Sequence, residues 1–170
     1  MRILLSIGLS GLMAAPALSS DMEISIEIPQ LQVAEYHRPY VAVWLEHPDQ
    51  GVVANLAVWY DIANPKGEGD KWLKDLRQWW RRAGRNLELP ADGLTSATRQ
   101  PGQHAIKVDD DNPALKALAP GNYELVVEAA REVGGRELVK IPIEWPLKDG
   151  ADLSAKGEHE LGAVTVKLKP

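Results

Sequence analysis

Beyond its first twenty residues, the chain is dominated by alternating apolar and polar positions. Met22, Ile24, Ile26 and Ile28 alternate with Glu23, Ser25 and Glu27, the period-two pattern of a strand with one buried face. The parity slips at Pro29-Gln30, beyond which Leu31 and Val33 carry the apolar face, so a bulge or edge kink is expected there. Residues 40–46 repeat the pattern, with Val41, Val43 and Leu45 on one face. His47-Pro48-Asp49-Gln50-Gly51 reads as a turn, and 53–60 as the returning strand of a hairpin. Further strands are expected at 105–108, 123–131, 137–145 and 160–167, with Gly134-Gly135 as the turn joining two of them.

Between 70 and 83 the period changes. Trp72, Leu73, Leu76, Trp79, Trp80 and Ala83 fall on one side of a helix, and Lys71, Lys74, Arg81 and Arg82 lie largely on the other. Asp70 suits the N-cap and Gly84 the C-terminal stop, which predicts one amphipathic helix packed on the sheets with Trp72, Leu76 and Trp79 in the core. Asn112-Pro113 reads as a cap opening a short helical piece at 114–118. About seven strands, hairpin turns and one inserted helix predict a mainly β fold, an immunoglobulin-like antiparallel β-sandwich. Pro120-Gly121-Asn122-Tyr123 resembles the tyrosine corner of such sandwiches, where a Tyr at a strand start bonds back to upstream backbone.

The first residues follow a different logic. A single cation, Arg2, precedes an apolar run from Ile3 to Ala15, and Ala15-Pro16-Ala17 supplies small residues where a signal peptidase reads. Residues 1–17 are therefore expected to be a cleavable secretory signal with cleavage near Ala17, leaving 18–170 as one β-sandwich domain in the periplasm. The apolar run is too short for a permanent membrane span, and no transmembrane segment is expected in the mature protein. The chain has 19 Lys+Arg, 24 Asp+Glu and a net charge of −5; losing Arg2 makes it −6, which disfavours nucleic acid as a partner. It contains no Cys, which excludes a disulfide scaffold, thiolate metal ligands, a cysteine nucleophile and a lipoprotein anchor. His37, His47, His104 and His159 have no metal-ligand spacing, and Asp109–Asp111 lack the alternate ligands and closing Glu of a calcium loop. No nucleophile elbow, phosphate loop or zincin motif is present, so no metal site and no catalytic residue is assigned, and the chain does not read as an enzyme.

One segment carries specific chemistry. The loop at about 90–102 contains Asp92-Gly93-Leu94-Thr95-Ser96-Ala97-Thr98, which resembles the acceptor motif of bacterial FAD:protein FMN transferases. Those enzymes join the FMN phosphate to the hydroxyl of the last Thr. The resemblance implies covalent FMN at Thr98, with Asp92, Gly93, Thr95, Ser96 and Ala97 as the recognition segment. Ser96 stands where Gly is more usual. A modifying enzyme needs a segment it can grip in extended form, and an exposed loop with small residues meets that need. Trp80 and Arg81 are possible flavin contacts, by ring stacking and by a positive charge near the reduced flavin.

Most of residues 22–168 also resembles the periplasmic family catalogued as domain of unknown function 2271. The carrying segments are Tyr40-Val41-Ala42-Val43-Trp44, Lys71-Trp72-Leu73-Lys74-Asp75-Leu76, Ala97-Thr98-Arg99-Gln100-Pro101-Gly102 and 128–135. The resemblance implies a partner of membrane electron-transfer, PepSY type as well as the FMN transferase. Two functions are thus expected in competition. One is a periplasmic flavin-carrying electron-transfer domain. The other is a cofactor-free immunoglobulin-like binding module of a membrane redox or transport complex.

Overall fold

Two β-sheets stack face to face in the computed structural model, which describes residues 21–148 and 150–169. The expected signal segment at 1–17 lies outside the described residues. The strands are β1 (Asp21–Ile28), β2 (Tyr40–His47), β3 (Gly51–Tyr60), β4 (Thr95–Ala97), β5 (Gly102–Val108), β6 (Gly121–Ala130), β7 (Arg136–Trp145), β8 (Asp152–Lys156) and β9 (Ala163–Lys169). One sheet has the order β5-β1-β9-β8 and the other β4-β3-β2-β6-β7. The expected mainly β sandwich is observed, with nine strands among the described residues rather than about seven. The two unexpected strands are short edges: β4 has three residues, and β8 alternates only between exposed and half-buried positions.

The five-stranded sheet runs in the order of the larger sheet of a variable-type immunoglobulin sandwich. Two features depart from that fold. The β3–β4 pair is parallel, and β1 sits between β5 and the C-terminal β9. Tyr123, at the start of β6, donates its hydroxyl to the Ala119 carbonyl at 2.8 Å, the bond expected of a tyrosine corner.

The core between the sheets is built from the alternating faces. Ile24, Ile26 and Ile28 from β1 and Val164 and Val166 from β9 meet Val41, Val43, Leu125, Val127 and Ile141 across the sandwich. β1 ends at Ile28, because Pro29 has no N–H to continue a ladder; Leu31 and Val33 lie beyond it outside any strand, and no bulge carries the face on. The bulges lie instead in the β2–β3 pair, at Val43/Trp44 and Leu45/Glu46. They re-phase β3, so that Ala54 and Leu56, and then Ala57 and Trp59, all reach the same core.

The outer face of the five-stranded sheet is covered too. Ala42, Trp44, Val58, Val126 and Ala130 form a second cluster with Leu73, Leu76 and Trp79. This is why 41–46 are buried at every position: β2 is sandwiched on both faces. The covering segment is not the single helix that the periodicity predicts. A 3₁₀ segment, Gly69–Asp75, leads into α1 (Arg77–Arg82), with a break at Leu76. Asp70 makes no cap; the N-cap of the 3₁₀ segment is Glu68, without a side-chain bond. At three residues per turn, Leu73, Leu76 and Trp79 align on the sheet side. Trp72 is displaced from that line and is 48% exposed, so its expected place in the core is not where it sits. α1 is capped at its C-terminus by Ala83 rather than stopped by Gly84, which opens a 3₁₀ turn (Gly84–Asn86); Gly84 is needed there for packing, since a Cβ would meet the Trp79 indole ring at 2.5 Å.

A buried carboxylate holds this segment to the sheet. Glu128, on β6, has no exposed surface. Its Oε1 accepts the backbone N–H of Gln78 at 3.0 Å, and its Oε2 that of Trp79 at 2.8 Å. Arg136 from the neighbouring β7 donates its Nε–H to Oε1. Since α1 has no capping side chain of its own, Glu128 satisfies the orphan N–H groups of its first turn from across the packing interface. A short second helix, α2 (Pro113–Lys116), is capped as expected by Asn112, whose side chain accepts the Ala114 N–H at 2.9 Å.

Two further acids fasten the loop before β9. Arg131 forks onto Glu160 with bonds of 2.8 and 3.0 Å, both side chains nearly buried. Glu137 accepts four backbone N–H bonds from 158–161, at 2.6 to 3.1 Å. Burial alone would raise the Glu137 carboxyl, but those four donors outweigh it and hold it below the ordinary 4.5.

Two outcomes follow from this polar framework. Glu128→Ala should lower the unfolding free energy by about 3 kcal/mol, because two buried N–H groups lose their acceptor and Arg136 its partner. Urea denaturation at neutral pH measures it, and a loss below about 1 kcal/mol would contradict the role given to Glu128. A folded-state pKa held low contributes stability that is complete above the unfolded value and disappears as pH falls through the folded one. Wild-type stability should therefore decline below pH 4.5, and Glu137→Gln should show a shallower decline in the same urea series.

Candidate functional site

The segment 90–98 is anchored at its base and open at its end. Gly93 adopts a φ of +73° with open space around it, a backbone state that glycine accepts freely. Thr95 folds its hydroxyl back on the turn, donating to the Ala91 carbonyl at 2.9 Å and accepting the Ala91 N–H at 3.0 Å. The Leu94 carbonyl accepts the Val58 N–H, and the Thr98 N–H reaches the Tyr60 carbonyl at 3.2 Å. Between those bonds Thr95, Ser96 and Ala97 run parallel to Val58, Trp59 and Tyr60 as edge strand β4. The expected loop at 90–102 is thus partly an edge strand, with its outer side unpaired among the described residues.

The three hydroxyls of the segment are in different states. That of Thr95 is engaged with Ala91. That of Ser96 accepts Nη2–H of Arg99 at 3.2 Å, and the same guanidinium lies 5.1 Å over the Trp59 ring. The Thr98 hydroxyl enters none of the hydrogen bonds among the described residues. Thr98 itself is half-buried, while Asp92, Gly93 and Ala97 are exposed.

Thr98 lines a cleft of about 320 Å³ together with His37, Arg38, Tyr40, Asp61, Trp72 and Glu132. Five stretches distant in sequence converge here, and local constraints position each one. Asn64 ties down the turn after β3, donating to Asp61 Oδ2 at 2.8 Å and accepting the Lys66 N–H at 3.0 Å. Gly69 lies so close to the Asp61 carbonyl that a Cβ would overlap it, which brings the 3₁₀ segment carrying Trp72 against this turn. Tyr40 bridges the two, donating to the Gly69 carbonyl at 2.9 Å and meeting Tyr60 edge-on at 6.2 Å. Burial, reinforced by the Asp61 carboxylate, pushes the Tyr40 phenol above its ordinary value, so it stays a protonated donor. His37 lies between Glu35, at 3.0 Å, and Glu132, at 3.6 Å. The cleft combines two aromatic rings, three carboxylates, one guanidinium and an uncommitted hydroxyl.

Trp80 and Arg81 lie elsewhere. They line a separate groove with Lys74, Arg77 and Arg136, and Trp80 packs at 53° to Trp79. The aromatic and cationic groups that share the cleft with Thr98 are Trp72, Tyr40 and Arg38, none of which the sequence reading singled out for a site. For Trp72 a signal existed: the spacing of Leu73, Leu76 and Trp79 by three leaves it off the buried line.

A model of the family described as "Predicted periplasmic protein (DUF2271)" matches residues 21–163. The chain belongs to that family. The match spans the DUF2271 chain from β1 to the start of β9 and includes every residue of the cleft. No curated protein matches this chain. No solved structure matches it either. Among the described residues of this DUF2271 member, no helix is long and apolar enough to cross a membrane.

The anchoring of the segment can be tested directly. Thr95→Val keeps the shape of the side chain and removes both bonds to Ala91. It should cost about 1–2 kcal/mol of stability by urea denaturation and speed amide exchange across 92–98. Unchanged exchange there would mean that the hydroxyl does not hold the turn.

Proposed function

We propose that this protein is a periplasmic carrier of FMN bound covalently at Thr98, working in electron transfer. The observation that carries the reading is the state of the three hydroxyls in the acceptor-like segment. Those of Thr95 and Ser96 are committed to Ala91 and Arg99, and that of Thr98 alone has no partner among the described residues. Edge position supports it as well, since an enzyme can reach a three-residue edge strand beside the exposed Asp92, Gly93 and Ala97.

The attachment reaction balances without any redox step. The Thr98 hydroxyl oxygen forms a bond to the FMN-side phosphorus of FAD. The pyrophosphate bond breaks, AMP leaves, and the hydroxyl proton passes to the transferase or to solvent. The transferase and FAD are both supplied from outside the chain. Secretion through a signal at 1–17, cleaved near Ala17, would place the protein where the transferase acts.

The rings and the guanidinium of the cleft suit the group, while the carboxylates of Asp61, Asp75 and Glu132 stand against its phosphate. Trp72 and Tyr40 offer ring faces and edges, Tyr40 holds its phenolic proton, and Arg38 supplies a cation that forms no ion pair among the described residues. When bound, FMN supplies one- and two-electron chemistry. The chain's own part is to hold the phosphoester just beyond edge strand β4, where the Thr98 N–H bonds the Tyr60 carbonyl, and to leave it open to a redox partner. A membrane electron-transfer protein of PepSY type fits that partner role.

Co-production with an FAD:protein FMN transferase in a periplasm is the test. Intact-mass analysis should show the mature chain heavier by one FMN, with flavin fluorescence that survives a denaturing gel. Thr98→Ala should abolish both signals and Thr98→Ser should retain them. An unlabelled wild type, or a labelled Thr98→Ala, would reject the reading.

A further inference from the structure

Beside the Thr98 cleft, the surface carries a second feature that owes nothing to a cofactor. Four large apolar residues are exposed among the described residues, and two of them, Trp72 at 48% and Val133 at 78%, line one groove. Val133 forms the tip of the β6–β7 turn with a φ of +51°, a left-handed state unfavourable for a β-branched residue. Gly134 and Gly135 follow at once, so flexible residues are present in the turn, yet the strained position holds a valine that points its side chain into solvent. Among the described residues nothing compensates for that strain by packing the isopropyl group, which is 78% exposed.

Positive charge is concentrated beside this groove, along the 3₁₀ segment and α1, on a chain of net −5, while Asp75 and Glu132 line the Trp72–Val133 groove itself. Lys74, Arg77 and Arg81 form no ion pair among the described residues. With Trp80 and Arg136 they line a groove of about 390 Å³ that adjoins the Trp72–Val133 groove through Arg77 and Arg136. Of the α1 arginines, Arg82 is balanced by Glu46 at 2.6 Å, whereas Arg77 and Arg81 are not; the Arg81 Nε–H donates to the Arg77 carbonyl at 3.2 Å.

We propose that these joined grooves form a docking surface for an acidic protein partner, with Trp72 and Val133 as apolar anchors and Lys74, Arg77 and Arg81 as its charge contacts. Aromatic and arginine side chains set in a concavity are the usual anchors of protein interfaces, and opposed charge steers association. A lipid surface fits less well: the apolar stripe of the 69–82 segment, Leu73, Leu76 and Trp79, faces the sheet, so no convex apolar face is left to enter a bilayer. Trp72 and Asp75 line both this groove and the Thr98 cleft, so a partner docked here stands at the mouth of that cleft. Docking on this surface requires no flavin at Thr98.

The test places a photo-crosslinking amino acid at Lys74 of the full chain, made in cells that naturally produce it. The expected result is a protein adduct whose crosslinked peptide carries clustered Asp and Glu. Its yield should fall at least tenfold in Arg77→Glu/Arg81→Glu, and charge reversal of the partner's acids should restore it. Val133→Gly relieves the strained turn, so it should keep or raise the thermal midpoint while the adduct yield falls severalfold. A lipid adduct, no adduct, or an unchanged yield in both variants would overturn the proposal, and none of those outcomes bears on labelling of Thr98.

Discussion

The arrangement of the molecule depends on one buried carboxylate. Glu128 lies on β6, a strand apolar on both faces, and an ion there is unfavourable unless its oxygens are filled. The two backbone N–H groups of α1 and the Arg136 guanidinium fill them. This one demand binds three elements: it seats α1, fixes where the 3₁₀ segment must end, and ties β7 to its neighbour. Because the seat comes at Gln78 and Trp79, Trp79 is driven against Trp44 and Val126, and the preceding turns take whatever phase reaches that point. Trp72 is turned outward as a result, and so the Thr98 cleft and the basic groove share a wall.

What the sequence disclosed was local. β1 and β7 were readable because one face of each meets the core and period two is then enforced by burial, and β6 as a near-continuous apolar run buried on both faces. The Asn112 cap and the Tyr123 corner were readable because donor and acceptor lie within four residues. The helical segment misled because periods of 3.6 and 3.0 agree over one turn and diverge by the second. The decisive term, Glu128, lies some fifty positions away and reads in sequence as one polar residue between strand positions. β4 and β8 were missed for a different reason. An edge strand of three to five residues buries too little to leave a pattern, and β4 exists through its parallel pairing with β3.

The candidate site divides along the same line. The segment 92–98 was found because its residues are contiguous. The cleft was not, because it is assembled from 37–40, 61–64, 72–75, 98 and 130–132, which only the fold brings together. Choosing Trp80 and Arg81 as companions of Thr98 followed from adjacency on a supposed single helix. Once that helix is broken at Leu76, the aromatic residue that reaches the cleft comes from the other side of the break.

The size and polarity of the cleft bear on why a covalent link would be useful there. At about 320 Å³, and lined by carboxylates and a guanidinium as much as by rings, it lies at the small end of cavities that enclose a ligand. Such a cleft gives little affinity by burial, and any ligand held only by its walls would exchange with the surroundings. On the proposed reading, a phosphoester at Thr98 would remove retention from the cleft's task and leave it orientation alone, which two rings and a protonated Tyr40 could perform. The same openness that would be a weakness in a non-covalent site would then suit an electron carrier, since Trp72 lines both the Thr98 cleft and the neighbouring groove where the proposed partner would dock.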